Sequence, residues 1–363
     1  MLPAYGAANL RGITPALTGP GFTRNLPAWF PSLAHGADQV VLLVLDGLGW
    51  EQFQHKLGLM PVLAGFEGGP ITTVAPSTTA TALTSIVTGL APGEHGLIGY
   101  RIEVSGEVLN VLRWTTPRGD ARQRLRPRDV QPMAPFLGER VPVVSKIELA
   151  GSGFSEAHLR GVPLHGWRMP SNIPVQVRSL LEAGERFVYV YYDGIDKTAH
   201  EFGFSAFYDQ ELRCADRLVA DVLDALTPGT VLLVTADHGQ VIVGANTRPP
   251  DPAVLAHVRQ QSGEGRFRWL HAKPGAQADL LAAAQDRHGD VAWVVSREQT
   301  IDEGWFGPVV SGPVARRLGD VALVPFEPTS FDDPADSGPY QLVSRHGSLT
   351  SAEMLVPFVA SRR

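Results

Sequence analysis

Three apolar segments rich in Val, Leu and Tyr each end on acidic residues, and this repetition constrains the fold more than any other feature. The segments are VVLLVLDG (40–47), FVYVYYDGIDKTAH (187–200) and TVLLVTADHG (230–239). A continuous apolar run that stops at glycine is typical of a strand buried on both faces, as in a parallel sheet. The segments therefore predict parallel strands of an open α/β sheet, in which polar groups collect beyond the carboxyl ends of the strands.

The polar side chains that follow these strands are expected to share one edge of the sheet. They are Asp46, Asp193, Asp196, His200, Asp237 and His238. Carboxylates and imidazoles gathered in one place repel one another or lose solvation unless a positive charge lies among them, and a divalent metal is the usual solution. The pattern predicts a metal site with two ions.

The order of elements along the chain favours an α/β fold with a mostly parallel central sheet and helices on both faces. Strands are predicted at 39–45, 71–74, 142–145, 186–192 and 230–235, with helices near 50–57, from Ala80 and at 205–226. Helical spacing places Phe207, Leu212, Ala215, Val219, Val222 and Leu226 on the apolar face of the last helix.

The chain is predicted to divide into a catalytic core and an accessory lobe. The core takes residues 1–246 and 336–363, with a hairpin insert at 101–135 that turns at Ser105-Gly106. The lobe takes residues 247–335, because Pro and Gly punctuate both ends and its charged residues show no metal-ligand spacing.

Composition excludes several classes of protein. The 363 residues carry a formal net charge of −6, which argues against a protein that coats nucleic acid. No apolar run approaches the roughly 20 residues of a membrane span, and the start of the chain does not resemble a signal peptide, so a cytoplasmic protein is expected. The single cysteine, Cys214, excludes an internal disulfide and a Cys-based zinc cluster, and its helical setting predicts a buried structural thiol.

Two local motifs have metal-ligand spacing. Asp196 and His200 in DKTAH are four residues apart, so on a helix both side chains project from one face. Asp237 and His238 in ADHG are adjacent, and a turn at Gly239 would aim both into one cleft. Each motif alone also fits an ordinary surface helix or a turn aspartate beside an exposed histidine.

The segment PSTTATALTSIVTG supplies a candidate nucleophile. Ser77, Thr78 and Thr79 lie between a predicted strand and a helix, where backbone N–H groups favour developing negative charge. The alternative is an ordinary Ser/Thr cap of the helix. A hydroxyl needs a base or a metal to become a good nucleophile, and the local sequence offers no histidine base.

Taken in order, these motifs resemble those of the alkaline phosphatase superfamily, most closely its nucleotide pyrophosphatase/phosphodiesterase branch. They are VLLVLDG, P-S-T-T ahead of TG, DKTAH, ADHG and RHGS, over residues 40–348. The resemblance implies that Thr79 is the nucleophile, with Thr78 as the neighbouring alternative. It implies two ligand sets: Asp196, His200 and His346 for one ion, and Asp46, Asp237, His238 and the Thr79 oxygen for the other.

The resemblance implies a metal-dependent hydrolase of phosphodiester or nucleotide pyrophosphate bonds that forms a phospho-threonine. The small-molecule partner is then a phosphate ester or nucleotide. Mixed His and Asp ligation favours zinc, with manganese as the alternative. Other hypotheses are a phosphomonoesterase or phosphonate-bond hydrolase with the same site, and a non-catalytic, metal-stabilised phosphate-binding protein. A sulfatase is disfavoured because no C/S-x-P-x-R sequence occurs, and a mutase because those enzymes typically use Ser.

The chain departs from the branch at one point. The family places an Asn shortly after the nucleophile to hold a phosphoryl oxygen, and this chain has Ala80-Thr81-Ala82 there. We expect the backbone N–H of Ala80 to substitute for that donor. Tyr100 and Arg101 are expected to line the leaving-group pocket, His95 to be a structural turn histidine, and Asp193 to orient a metal ligand.

Overall fold

A seven-stranded mixed sheet lies at the centre of the computed structural model, which describes residues 1–336 and 342–363. The strands of the described residues are β1 (Gln39–Leu45), β2 (Glu67–Thr72), β3 (Arg101–Val104), β4 (Glu107–Asn110), β5 (Thr115–Thr116), β6 (Gly119–Asp120), β7 (Val143–Lys146), β8 (Leu164–Trp167), β9 (Phe187–Tyr192), β10 (Thr230–Thr235), β11 (Val241–Ile242), β12 (Thr247–Arg248), β13 (Val258–Glu264), β14 (Phe267–Ala272), β15 (Ala292–Ser296), β16 (Val321–Pro325), β17 (Ser330–Phe331), β18 (Ser344–Arg345) and β19 (Leu355–Arg362).

Helices connect most of these strands. Those of the described residues are α1 (Ile13–Leu17), α2 (Trp50–His55), α3 (Pro61–Ala64), α4 (Thr79–Thr88), α5 (Pro92–His95), α6 (Pro127–Val130), α7 (Gly153–His158), α8 (Asn172–Glu182), α9 (Gly194–Phe202), α10 (Ala206–Ala225), α11 (Pro252–Leu255), α12 (Gln277–His288), α13 (Arg297–Asp302), α14 (Gly312–Ala315) and α15 (Ser351–Met354). Within the described residues, none is both long and apolar enough to cross a bilayer.

Strand β1 lies in the middle of the main sheet and pairs in parallel with β9 and β10. The order of strands is β2-β19-β10-β1-β9-β7-β8, and β19 runs antiparallel to its neighbours β10 and β2. The predicted α/β class with a mostly parallel central sheet is therefore confirmed. Residues 40–45 of β1 are fully buried, as expected for an apolar strand covered on both faces.

The strand register brings the three acidic motifs to one edge. Val44 of β1 pairs with Tyr191 of β9 and with Thr235 of β10, so the three strands end at nearly the same level. Asp46, Asp193 and Asp237 follow within two residues of those strand ends. The site is thus positioned by the alignment of three parallel strands.

The range predicted as an accessory lobe contains a separate antiparallel sheet, β13-β14-β16-β15, which packs on α12. A small core that includes Leu270, Leu280, Leu323 and Phe331 lies within it. Its strand β14 also sends Phe267 and Trp269 into the main core. The predicted core also takes residues 336–363, of which residues 337–341 lie outside the described residues. The β3–β4 hairpin turns at Ser105-Gly106, at the expected place.

Helix α10 differs from expectation in the direction of two side chains. Its buried face comprises Tyr208, Leu212, Ala215, Val219 and Val222 among others. Phe207 is 62% exposed and stacks on Phe202, and Cys214 is exposed. Cys214 is two positions from Leu212, which turns it by about 200° away from the buried face. The prediction of a buried thiol was wrong.

Candidate metal centre and nucleophile

Six of the predicted ligands come together in two adjacent groups. We call them site 1 (Asp46, Asp237 and His238) and site 2 (Asp196, His200 and His346). The rings of His238 and His346 stack with their centroids 3.6 Å apart, so the two sites are in direct contact. Ligand atoms of Asp46, Asp237 and His238 lie within 4.8 Å of one another, as do those of Asp196, His238 and His346.

Site 1 leaves one oxygen of each carboxylate free. His238 Nε2 lies 3.5 Å from Asp46 Oδ1 and 3.3 Å from Asp237 Oδ2. Both oxygens are buried without a hydrogen-bond partner among the described residues. The other oxygens are held, because Tyr191 donates its hydroxyl to Asp46 Oδ2, and the amides of Gly47 and His238 donate to Asp237 Oδ1 over 3.1 and 3.0 Å. Two buried, unpartnered carboxylate oxygens beside one imidazole nitrogen fit a cation.

Site 2 is formed by α9 and by the residue that follows β18. Asp196 Oδ1 lies 3.3 Å from His200 Nε2 and 3.8 Å from His346 Nε2. The Nε2 atoms of His200 and His346 are 3.2 Å apart. Asp196 and His200, four residues apart on α9, therefore project toward the same point, as predicted. His346, which follows 146 residues after His200, supplies the third candidate donor atom.

All three histidines are oriented by backbone carbonyl groups. The Nδ1 atoms of His200, His238 and His346 lie 2.7, 3.0 and 3.0 Å from the carbonyl oxygens of Ser344, Gly239 and Ser77. A carbonyl oxygen only accepts, so each Nδ1 carries the proton and each Nε2 presents a lone pair. Two such lone pairs 3.2 Å apart in site 2 repel each other, and a shared cation would relieve that repulsion. The carbonyl contact at Nδ1 is typical of metal-binding histidines.

The charges of the site favour cations as well. Burial, followed by the nearby carboxylates of Asp237 and Asp196, raises the pKa of Asp46 well above its usual value. Burial also raises the pKa of Asp237, and the nearby Asp196 carboxylate adds to that increase. Burial and the neighbouring imidazoles of His238 and His200 lower the pKa of His346. Bound divalent cations would offset all three shifts, and mixed imidazole and carboxylate donors fit zinc or manganese.

Thr79 is the hydroxyl that faces site 1. It is the first residue of α4, and its Oγ1 lies 3.1 Å from His238 Nε2. The Ser77 hydroxyl is engaged elsewhere, because it donates to the Ser348 carbonyl over 2.7 Å. Thr78 is the cap residue, yet its side chain makes no cap hydrogen bond.

A family model matches most of the chain. The sequence model described as "Type I phosphodiesterase / nucleotide pyrophosphatase" matches residues 40–178 and 168–349. The chain belongs to this family. All six residues of sites 1 and 2, and Thr79, fall within the matched ranges. No match was found among curated protein sequences.

Solved structures share the fold at low sequence identity. Murine ectonucleotide pyrophosphatase/phosphodiesterase 5 matches with a TM-score of 0.68 and 15% identity, over 90% of this chain and 88% of that one. Phosphonoacetate hydrolase from Sinorhizobium meliloti matches with a TM-score of 0.62 and 18% identity, over 90% of each chain. These likenesses show that the family member described here has the fold of both proteins.

Two cavities open beside Thr79 and Asp196 in this phosphodiesterase-family chain. One is largely apolar and is lined by Leu83, Leu112, Leu149, Phe154 and Leu159 among others. The other is polar, and its lining includes Tyr100, Glu264, Arg345 and His346. A substrate phosphate at Thr79 would thus lie between an apolar and a polar compartment.

The remaining predicted residues have mixed positions. Tyr100 lines the polar cavity, and its hydroxyl accepts a hydrogen bond from the Asn110 amide over 2.7 Å. Ala80 is fully buried in α4 and lines neither cavity. Arg101 forms a buried ion pair with Asp333 at 2.6 Å. The substrate-binding roles of Ala80 and Tyr100 stay predictions.

Two other histidine and aspartate predictions have clear structural outcomes. His95 is buried, and its Nε2 lies 2.9 Å from Ser85 Oγ while its Nδ1 accepts from the Leu97 amide, which is a structural role. Burial lowers the pKa of His95 to about 3. Asp193 pairs with Lys197 and, at 3.6 Å, with Lys146. Asp193 therefore holds two lysines beside the site, whereas the sequence analysis expected it to orient a metal ligand.

Sequence reasoning missed two residues that orient the aspartates of sites 1 and 2. Gln240 donates to Asp196 Oδ1 over 2.9 Å and accepts from Ser344 Oγ over 2.8 Å. Tyr191 donates to Asp46. Gln240 stands two residues after His238, and Tyr191 is the second-last residue of β9. Their closeness in sequence to the predicted ligands was the signal that could have identified them.

Replacing Gln240 with Leu is expected to weaken zinc binding at site 2 by about 10- to 100-fold, because Asp196 loses the amide that orients it. Titration of zinc against a competing chelator measures this affinity. Gln176→Leu is the matched control, since the Gln176 amide donates to the Gly166 carbonyl, outside both sites. Equal zinc affinity of the Gln240 variant and the wild type would contradict this role.

Proposed function

We propose that the chain is a metal-dependent hydrolase of phosphoric esters that attacks phosphodiester or nucleotide pyrophosphate bonds with Thr79. One observation carries the proposal: the Thr79 hydroxyl, at the start of α4, lies 3.1 Å from His238 Nε2 and beside the two unpartnered carboxylate oxygens of site 1. Membership of the phosphodiesterase family supports phosphoester hydrolysis.

Two divalent cations belong to this proposal, one held by site 1 with the Thr79 oxygen and one held by site 2. The donor set favours zinc, with manganese as the alternative. When bound, they would supply Lewis-acid polarisation of the phosphate and a lowered pKa for the hydroxyl. Three aspartates against two dications leave the proposed site positive, which attracts a phosphate.

The residues of the chain then have the following roles. Thr79 Oγ1 forms a bond to phosphorus as the bond to the departing oxygen breaks, which leaves a phospho-threonine. Helix α4 begins at this residue, so its amino-terminal N–H groups and dipole favour the negative charge that develops there. Water attacks the phospho-threonine from the opposite side, and Thr79 is released for another cycle.

A small nucleotide is the ligand class best supported by the comparisons. One matched structure is described as the murine ectonucleotide enzyme in an inactive form with a threonine replaced by alanine, in complex with AMP. That protein shares 15% identity with this chain over 90% of its length. We propose the same ligand class here, and we keep the cytoplasmic location expected from the sequence as a prediction.

A second candidate function is phosphonate-bond or phosphomonoester hydrolysis at the same site. The likeness to phosphonoacetate hydrolase, whose structure is described in complex with phosphonoformate, favours keeping it. The non-catalytic alternative, a metal-stabilised phosphate-binding protein, gives no reason for a hydroxyl to face site 1 at a helix start.

Comparing three substrates decides between these functions. We expect bis-p-nitrophenyl phosphate to be hydrolysed with a kcat/KM at least about 10-fold above that of p-nitrophenyl phosphate, a preference of roughly 1.4 kcal/mol, and we expect chelator to remove both activities. Release of nitrophenol or of phosphate, with phosphonoacetate as the third substrate, is the measurement. A preference for the monoester or for phosphonoacetate would favour the second candidate, and no turnover of any substrate would favour a binding protein.

A further inference from the structure

Two basic side chains adjoin site 2 in the polar cavity. Lys197 directly follows Asp196 on α9, and Arg345 directly precedes His346 at the end of β18. Both side chains line the polar cavity, and so does Thr79. Each basic residue is thus fixed in the chain by a neighbour that belongs to site 2, and each reaches the space that a substrate at Thr79 would enter.

Arg345 carries a guanidinium that has no partner among the described residues. It forms no ion pair and no side-chain hydrogen bond with them, and its Nε is buried without a partner. The two Nη atoms lack a partner there as well but are not fully buried, so they open to the cavity that the side chain lines. A partly buried charge without a partner costs free energy unless a ligand satisfies it. The guanidinium therefore points to an anionic ligand.

The guanidinium of Arg345 lies against the wall that the accessory sheet contributes to the cavity. A Cβ atom placed on Gly265, in the turn of the β13–β14 hairpin, would lie 2.8 Å from Arg345 Nη1. Arg266 anchors that turn, because its Nε and Nη2 atoms contact the Glu353 carboxylate at 3.1 and 2.7 Å and both side chains are fully buried. A guanidinium that packs on a fixed wall loses less freedom when it binds a ligand.

Lys197 supplies a second positive charge. Its side chain is 55% exposed and lines both the polar and the apolar cavity. Its ammonium group pairs with Asp193, and the Lys146 ammonium lies 3.6 Å from the same carboxylate. One carboxylate shared by two ammonium groups leaves a surplus of positive charge beside both cavities.

The acidic side chains of the polar cavity do not cancel these charges. Asp336 pairs with Arg268 at 3.7 Å, and among the described residues none of Glu264, Asp332 and Asp336 forms an ion pair with Arg345 or Lys197. Three basic side chains line the cavity, and with a dication at site 2 they would outweigh its four acidic side chains even when all four are ionised. The basic residues are Arg113, Lys197 and Arg345, and the acidic ones are Asp196, Glu264, Asp332 and Asp336.

We propose that Arg345, together with Lys197, binds a second phosphoryl group of the substrate, next to the one that Thr79 attacks. The inference deepens the proposed function, on which it rests, and it makes nucleotide pyrophosphates the preferred substrates over simple diesters. A guanidinium presents paired N–H donors that match two oxygens of one phosphoryl group. A simple diester such as bis-p-nitrophenyl phosphate has no second phosphoryl group and cannot make this contact.

The kcat/KM for ADP-ribose, a nucleotide pyrophosphate, divided by that for bis-p-nitrophenyl phosphate gives a substrate ratio that tests the proposal. We expect Arg345→Met to lower this ratio at least about 10-fold, as for a lost hydrogen bond to a charged group, and the more exposed Lys197→Met to lower it about threefold. Arg345→Lys keeps the charge without the paired donors, so it should lose less than Arg345→Met. Arg140→Met is the control, because Arg140 is exposed and lines neither cavity.

Binding of ADP and AMP to zinc-loaded Thr79→Ala protein, measured by calorimetry, gives a readout independent of turnover. ADP carries the second phosphoryl group, so it should bind about 10-fold more tightly than AMP, and Arg345→Met in the same background should remove most of that preference. In a folded Arg345→Met protein, an unchanged substrate ratio or an unchanged preference for ADP would overturn the inference. A wild type that hydrolyses neither substrate, while the preference for ADP depends on Arg345, would instead refute the proposed function.

Discussion

Replacing Thr79 with Ala is expected to lower kcat for phosphodiester hydrolysis by about 10³-fold or more, while the melting temperature stays nearly unchanged. The substitution removes the only atom that would form the bond to phosphorus, and residual rate would come from binding and electrostatics alone. Alanine also fits the first position of α4, because the cap residue there is Thr78. Steady-state kinetics with bis-p-nitrophenyl phosphate measure the loss.

Three further variants separate a nucleophile from a structural threonine. Thr79→Ser should keep measurable activity because it keeps the hydroxyl. Thr78→Ala tests the neighbouring alternative, and Thr81→Ala is the matched control in the same helix, since Thr81 is buried with a hydroxyl that has no described partner. Acid-quenched reactions should show a phosphate on Thr79 by mass spectrometry. Full activity of Thr79→Ala, or a phosphate on Thr78, would contradict the mechanism.

The position of the candidate ligands at one sheet edge was predictable because the ends of the strands align. A run such as VVLLVLDG predicts both a buried strand and the place where it stops, and parallel strands that start in register also stop in register. That reasoning brings Asp46, Asp196, Asp237 and His238 to one edge without any structure. His346 is different, because it follows β18, a strand of two residues, and only the resemblance to a family pointed to it.

What the sequence left hidden depends on contacts between distant segments. Gln240 touches Asp196 across 44 residues, and Glu264 reaches the cavity because a hairpin from another sheet is pinned to Glu353. The periodicity of a single segment does not predict contacts between segments that are far apart in the chain. The wrong prediction for Phe207 has a similar cause. Phe207 is apolar and lies near the buried face of α10, but at the start of the helix it stacks on Phe202 and stays outside the core.

Chelation of divalent metal is expected to abolish hydrolysis and to lower the melting temperature. Without cations, the buried oxygens Asp46 Oδ1 and Asp237 Oδ2 are left uncompensated. A metal present at a thousandfold over its Kd stabilises the folded state by about 4 kcal/mol per site. For a chain of this size, two such sites correspond to a shift on the order of 10 °C. Differential scanning calorimetry before and after chelation, with zinc added back, measures the shift.

Single-ligand variants test whether the sites are separate. The wild type should bind two equivalents of zinc, Asp46→Asn should lose the one at site 1, and His200→Ala should lose the one at site 2. Each variant should lose at least about 100-fold in kcat, because each site supplies several kcal/mol of charge stabilisation. His257→Ala, outside both sites, should keep two equivalents. If Asp46→Asn still bound two equivalents of zinc, Asp46 would not be a ligand of the ion at site 1. The proposed activation of the Thr79 hydroxyl by that ion would then lose its physical basis.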